Sequence, residues 1–329
     1  MTQRINLLLA FLLACTLACS ASAKPKEIFN PEEVKADPDF AIQGEYVGEG
    51  ELPGGGAGKV AAQVIARGDG NFRVVVYKGG LPGAGWKRGD DRYFLDGKRG
   101  DDATELKGKE LAGEIAGKEI TLTDPDGKKK AKLTKTERKS PTLGAKPPKG
   151  AVVLFDGTNA DQFDHGTLTE WGSVLSGITT KPKFDGSYRI HLELCLSWMP
   201  KAGGQGRSNS GVYLHDCYEC QVLDSFGLEG RNNECGGFYK VRDPDVNMCL
   251  PPMQWQTYDF DFTAPKYDGD KKVENARVTV RHNGVVIHKD LELPHGTPGR
   301  KGEGPGPRPF HLQGHGNKVQ YRNIWVEQK

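Results

Sequence analysis

Ala276-Arg277-Val278-Thr279-Val280-Arg281-His282-Asn283-Gly284-Val285-Val286-Ile287-His288 is the stretch on which the fold turns. Ala276, Val278 and Val280 alternate with polar partners, the period of two expected of a strand with one face buried. Asn283-Gly284 then interrupts the pattern, and this pair readily takes the positive φ angles of a two-residue hairpin. The alternation recurs at 188–194, 211–223, 257–262, 285–288 and 319–326. About eight strands in ~180 residues, with no convincing helix among them, predict a two-sheet jelly roll over 151–329, whose concave face can take a ligand.

Working upstream, short apolar runs at 61–65, 72–77, 93–95, 111–115, 120–122 and 131–133 are separated by Gly54-Gly55-Gly56, Gly68-Asp69-Gly70-Asn71, Gly79-Gly80-Leu81-Pro82-Gly83 and Asp124-Pro125-Asp126-Gly127. This rhythm predicts a small antiparallel β barrel or sandwich over 24–139. Neither Gly54 to Gly58 nor Gly79 to Gly85 ends in Gly-Lys-Ser/Thr before a helical pattern, which argues against phosphate loops. Lys128-Lys129-Lys130 reads as a solvated hairpin face. Ser140-Pro141-Thr142-Leu143-Gly144-Ala145-Lys146-Pro147-Pro148-Lys149-Gly150 reads as a proline-rich, semi-rigid linker between the two units. The chain is therefore expected to be all-β and two-domain.

Composition agrees: 44 glycines and 20 prolines in 329 residues, with 36% hydrophobic residues, favour turn-rich β structure. The 45 Lys plus Arg against 43 Asp plus Glu leave a formal +2 and form no basic stripe with interleaved aromatics. Nucleic acid is therefore a poor partner for this surface.

Residues 1–23 read as an export leader: Arg4, an apolar run over 5–17, and Ala21-Ser22-Ala23 before Lys24. Leu12-Leu13-Ala14-Cys15 and Leu17-Ala18-Cys19 also resemble lipoprotein cleavage boxes, so a lipid anchor at Cys15 or Cys19 stands beside plain secretion to the periplasm or medium. No later run is long enough for a transmembrane span. Cys195, Cys217, Cys220, Cys235 and Cys249 remain, and an exported chain favours two structural disulfides plus one buried thiol. A zinc site from Cys217, Cys220, Cys235 and Cys249 is the alternative for these thiols.

Leu154-Phe155-Asp156-Gly157, Ile178-Thr179-Thr180, Phe184-Asp185-Gly186-Ser187-Tyr188, Asn209-Ser210-Gly211-Val212-Tyr213-Leu214, Tyr218-Glu219-Cys220-Gln221-Val222-Leu223-Asp224-Ser225, Trp255-Gln256-Thr257-Tyr258, Asn283-Gly284-Val285, Leu312-Gln313-Gly314-His315-Gly316 and Arg322-Asn323-Ile324-Trp325-Val326 follow in this order. Together they resemble the 3-keto-disaccharide hydrolase domain family. The resemblance covers 151–329 and implies a concanavalin A-like lectin/glucanase sandwich acting on a carbohydrate.

On a regular strand Glu219, Gln221 and Leu223 share a face, and one β-bulge after Gln221 would return Asp224 to it. That spacing is similar to the acidic signature of laminarinase-type glucanases of the same fold, although Gln221 stands where they carry an aspartate. Ordinary two-carboxylate hydrolysis is thereby disfavoured. A 3-keto sugar allows another route, in which a base removes the C2 proton, the C1 substituent is eliminated, and water adds back. Glu219 and Asp224 are the candidates for base and acid. Gln221, Glu234, Tyr239, Lys240, His311, Gln313, His315 and Arg207 are the candidates for substrate contact, and a divalent cation held by carboxylate and histidine could replace some of these donors.

Glu234 sits in a glycine-rich loop that could cover a cleft or be pinned by Cys235, and Trp198, Trp255 and Trp325 are read as core before sugar platform. The expected protein is an exported enzyme cleaving 3-keto-disaccharides or related keto-glycosides. The alternatives are a non-catalytic carbohydrate-binding module on the same fold and an envelope structural protein.

Overall fold

The computed structural model describes residues 24–329; the leader reading, Cys15 and Cys19 lie outside the described residues. The all-β expectation holds in both halves. Between Gly44 and Thr136 eight strands close into an antiparallel barrel. Its first strand, Gly44–Glu51, pairs with Ala57–Gly68 on one side and with the last, Lys129–Thr136, on the other. The barrel is filled, with Val60, Ala62, Val64, Phe72, Val74, Leu95, Ile120 and Leu133 packed inside it.

Two of its strands are apolar on both faces, for a reason visible in their pattern. In Ala57–Gly68 and Asn71–Lys78, alternate residues (Val60, Ala62, Val64; Phe72, Val74, Val76) fill the barrel. The intervening Ala61, Ile65, Val75 and Tyr77, with Leu81 and Trp86, enter the core of the second unit. The polar member of that face, Gln63, is satisfied by Glu45 Oε1 at 3.0 Å and by the Tyr77 hydroxyl at 2.7 Å. Burying an apolar side chain contributes roughly 1.5–3 kcal/mol, so this shared core fixes the barrel against its neighbour.

That neighbour is the expected two-sheet sandwich, with a seven-stranded and a five-stranded sheet. Ala276–His282 and Val285–Leu293 pair antiparallel around Asn283 and Gly284, whose φ angles of 50° and 79° realise the hairpin read in the sequence. The stretch 211–223 folds differently from its reading as one alternating run. It forms a hairpin of Ser210–Leu214 and Tyr218–Val222, turned by His215 and Asp216 at φ 52° and 58°. No glycine marks this turn. The Arg300 guanidinium instead holds Asp216, donating to its Oδ1 from Nε at 2.8 Å.

Three further expectations are corrected. The segment 140–150 does not span open space: Thr142 Oγ1 donates to Asp259 Oδ2 at 2.7 Å, Gly144 N to Glu193 Oε1 at 2.6 Å, and Trp325 Nε1 to Ala145 O at 3.2 Å. It is a strap across the outer face of the larger sheet. The five cysteines are free, buried thiols in place of the expected disulfides. They behave as small hydrophobes with weak hydrogen bonds; Cys249 Sγ reaches Leu223 O at 3.5 Å, and Cys235 Sγ lies 3.2 Å from the Tyr258 hydroxyl. Among the described residues no three His, Cys, Asp or Glu side chains converge as metal ligands, so the four-cysteine zinc set is not assembled.

The tryptophans are structural. Trp198 leaves the sandwich to join the barrel's own core, edge-on to Phe40 with centroids 5.3 Å apart, and its Nε1 donates to Asp37 Oδ2 at 2.8 Å. Trp325 stacks on His191, and Trp255 lies under the Arg322 guanidinium. Trp198→Ala is expected to cost about 3–5 kcal/mol, the usual price of deleting a buried aromatic. Denaturant unfolding followed by fluorescence and circular dichroism checks this, and a change under 1 kcal/mol would contradict the plug.

Candidate functional site

The five-stranded sheet sets the site by register. Tyr213 opposes Glu219 on one side and His311 on the other, and His311 opposes Thr179. Gly211 opposes Gln221 in the next row, and Gln313 N donates to Gly211 O at 2.8 Å. Because successive residues face opposite sides, Tyr218, Cys220 and Val222 enter the core while Glu219 and Gln221 face a cleft of about 240 Å³. Loop residues Gln205, Asn209, Tyr239 and His315 complete its walls.

Glu219 is the titratable centre. Its side chain is only 5% exposed, and burial, partly offset by the nearby Tyr213 hydroxyl, pushes its carboxyl up to about 7. Gly211 makes room for it: a Cβ at that position would stand 2.4 Å from Glu219 Oε1. The Gln221 amide has two settings. With its nitrogen toward Gln205 it meets Oε1 of that residue at 2.9 Å; turned over, the nitrogen donates to Glu219 Oε1 at 3.2 Å and to Ser210 O at 3.1 Å. The turned setting suits the carboxylate and the first suits the acid, whose proton the amide oxygen can accept.

Tyr213 is held from two sides. Its hydroxyl donates to Pro298 O at 3.0 Å and accepts from Gln313 Nε2 at 3.3 Å. Burial and the Glu219 charge raise its phenol, so it remains protonated. Above the sheet, Gln205 Nε2 donates to Asn233 O at 2.7 Å and Asn209 Nδ2 to Gln205 O at 2.8 Å. The first of these bonds joins the cleft wall at Gln205 to the loop of Asn233, which lines the neighbouring groove.

Glu219, Gln221, Tyr239, Gln313 and His315 are thus brought together as the sequence suggested. His311 stands behind Tyr213, its Nδ1 2.8 Å from Thr179 Oγ1, and burial lowers its imidazole to about 4. The remaining candidates lie elsewhere. The strand Tyr218–Val222 has no bulge, so Asp224 does not rejoin the face of Glu219. It is locked instead to Arg207, whose Nε donates to Asp224 Oδ2 at 2.6 Å, both side chains being buried.

Glu234 closes its own loop, its Oε2 accepting from Gly230 N at 2.7 Å and Arg231 N at 3.0 Å. Lys240 projects into a neighbouring groove. Gln205, Asn209 and Tyr213 were missed as site residues. Tyr213 was readable, since it shares the strand face of Gly211, whereas Gln205 and Asn209 depend on loop geometry. Of the cleft side chains, Glu219 and His315 supply the carboxylate and imidazole that a divalent cation would take first, and the Asn209 and Gln221 amide oxygens are further oxygen donors.

The raised carboxyl predicts a pH-dependent stability. At pH 4 Glu219 is largely protonated in both folded and unfolded chains. As pH rises from about 4.5 to 7 the unfolded chain releases its proton while the folded chain retains it, so the folded state loses stability, and above 7 the loss is constant. Glu219→Gln removes this penalty and is expected to stabilise the protein by roughly 3 kcal/mol at pH 8 and by much less at pH 4. Denaturant titrations at the two pH values check it; an equal effect at both would place the carboxyl's acidity in the ordinary range.

The sequence matches the model of the 3-keto-alpha-glucoside-1,2-lyase-like domain over residues 150–327. No curated protein matches it. Similar solved structures include two proteins of Parabacteroides distasonis described as candidate glycosyl hydrolases. One is 28% identical over 54% of this chain and 84% of its own, with a TM-score of 0.49. The other is 17% identical over 55% and 95%, with a TM-score of 0.41. By the match across 150–327, the chain belongs to the 3-keto-alpha-glucoside-1,2-lyase-like domain family.

Proposed function

We propose that this protein is an exported enzyme that cleaves 3-keto-disaccharides or related keto-glycosides by elimination. The observation that carries the reading is Glu219, a buried carboxyl raised to about 7 in a polar cleft. A base of that strength is matched to a carbon acid near neutral pH. The C3 carbonyl of a 3-keto sugar acidifies the proton on C2. Glu219 takes that proton, and the electron pair of the broken C2–H bond passes into an enolate.

Gln221 and Asn209 offer amide donors to the developing oxyanion. The C1–O bond then breaks and its oxygen leaves with a proton from the Tyr213 phenol; water adds across the C1–C2 double bond, its oxygen to C1, with Glu219 returning its proton to C2 and the proton released by the water restoring the Tyr213 phenol. Asp224 has no part in this scheme, because its charge is committed to Arg207. Export rests on the leader read in residues 1–23.

Glu219→Gln is expected to lower turnover of a 3-keto-disaccharide by at least about a thousandfold while the protein stays folded, as monitored by release of the reducing sugar; undiminished turnover would remove Glu219 from the mechanism. In the wild type, kcat/KM should rise about tenfold per pH unit below 7 and level off above it, the profile of a single base. Gly211→Ala should displace the carboxylate and cut kcat by roughly tenfold or more, with melting little changed; the paired turnover and melting measurements check it.

A further inference from the structure

The cleft does not end at Tyr239. The same residue walls a second groove of about 460 Å³, whose lining includes Arg88, Asn232, Asn233, Lys240 and Asp243. Arg88 belongs to the barrel, so this groove lies on the seam between the two units. Its Nη2 donates to Gly230 O and Pro244 O, each at 2.7 Å, and ties down both ends of the loop that forms the groove. The barrel segment is itself anchored by Trp86, which packs edge-on to Tyr77 with centroids 5.3 Å apart.

Inside the loop, Asp243 Oδ1 accepts from Asn232 N at 2.6 Å, and Asn232 Oδ1 accepts from Lys240 N at 3.1 Å. Lys240 is thereby held at φ 60°, a conformation costly for a residue with a side chain. Its ammonium lies 5.5 Å over the Tyr239 ring and forms no ion pair among the described residues. The loop thus holds an ammonium with no carboxylate partner among the described residues over one face of an aromatic ring that also walls the catalytic cleft. That is the chemistry that binds a sugar ring, with an apolar face to cover and hydroxyls to satisfy.

We infer that this groove binds the leaving group of the glycoside, a second hydroxylated sugar ring, with Tyr239 and Lys240 as its contacts and the barrel residue Arg88 as the residue that positions them. The inference rests on the proposed lyase reading for the place of C1 beside Glu219, but the groove itself can be tested without turnover. The barrel then has a task in the reaction: it sets one wall of the site from outside the sandwich.

Two measurements on the full chain test this. First, kcat/KM is compared for a 3-keto-disaccharide and for methyl 3-keto-glucoside, whose leaving group is too small to reach the groove. Lys240→Ala and Arg88→Ala are each expected to lower the ratio of the two values about tenfold, mainly through KM for the disaccharide. An unchanged ratio would overturn the inference.

Second, binding of free glucose is followed by ligand-observed NMR in wild type and Lys240→Ala, the latter an exposed change that leaves the core intact. Weakening in the variant supports the groove, and equal binding overturns it whatever the turnover. A wild type inactive on both keto-glycosides would count against the lyase reading, while the glucose titration would still decide the groove.

Discussion

The architecture depends on two barrel strands that must bury both of their faces. Ala57–Gly68 and Asn71–Lys78 place Val60, Ala62 and Val74 inside the barrel and Ala61, Ile65 and Tyr77 outside it. Left unpartnered, the outer face would expose a contiguous apolar patch, and the sandwich removes it from water. Further ties between the units stand beside that contact. The Trp198 plug, the Arg207 contact with Ala66 O at 3.3 Å and the Arg88 tether all lie at points that the shared core brings within reach.

The cleft draws on that rigidity for its electrostatics. A carboxyl is raised where water is kept away and no cation stands near it. Glu219 meets both conditions, since its neighbours are a phenol, an amide and the vacant side-chain position of Gly211. Arg207 and Arg300 are turned to Asp224 and Asp216. The same partition explains why Asp224, the nearby acid in the sequence, supports the fold and leaves the cleft to a single carboxyl.

What was legible in the sequence was whatever a period or a turn residue encodes. The alternation around Asn283-Gly284 gave the sandwich hairpin, and the glycine-spaced runs gave the barrel. The face shared by Glu219 and Gln221 followed from a period of two. What stayed hidden was set by long-range contacts. The turn at His215-Asp216 has no glycine and relies on Arg300, 84 residues away. The strap over 140–150 looked like a spacer because its carbonyls and amides meet Glu193, Asn323 and Trp325 only after folding. A bulge after Gln221 was open to the local sequence, but Arg207 takes Asp224 elsewhere.

The bond from Gln205 Nε2 to Asn233 O, 2.7 Å long, joins a wall of the Glu219 cleft to the groove beyond Tyr239. Burial is the first cause of the raised Glu219 carboxyl, whereas hydration favours the carboxylate. Whatever admits water to this cleft therefore lowers the proton affinity of Glu219, with no second titratable group needed to do it.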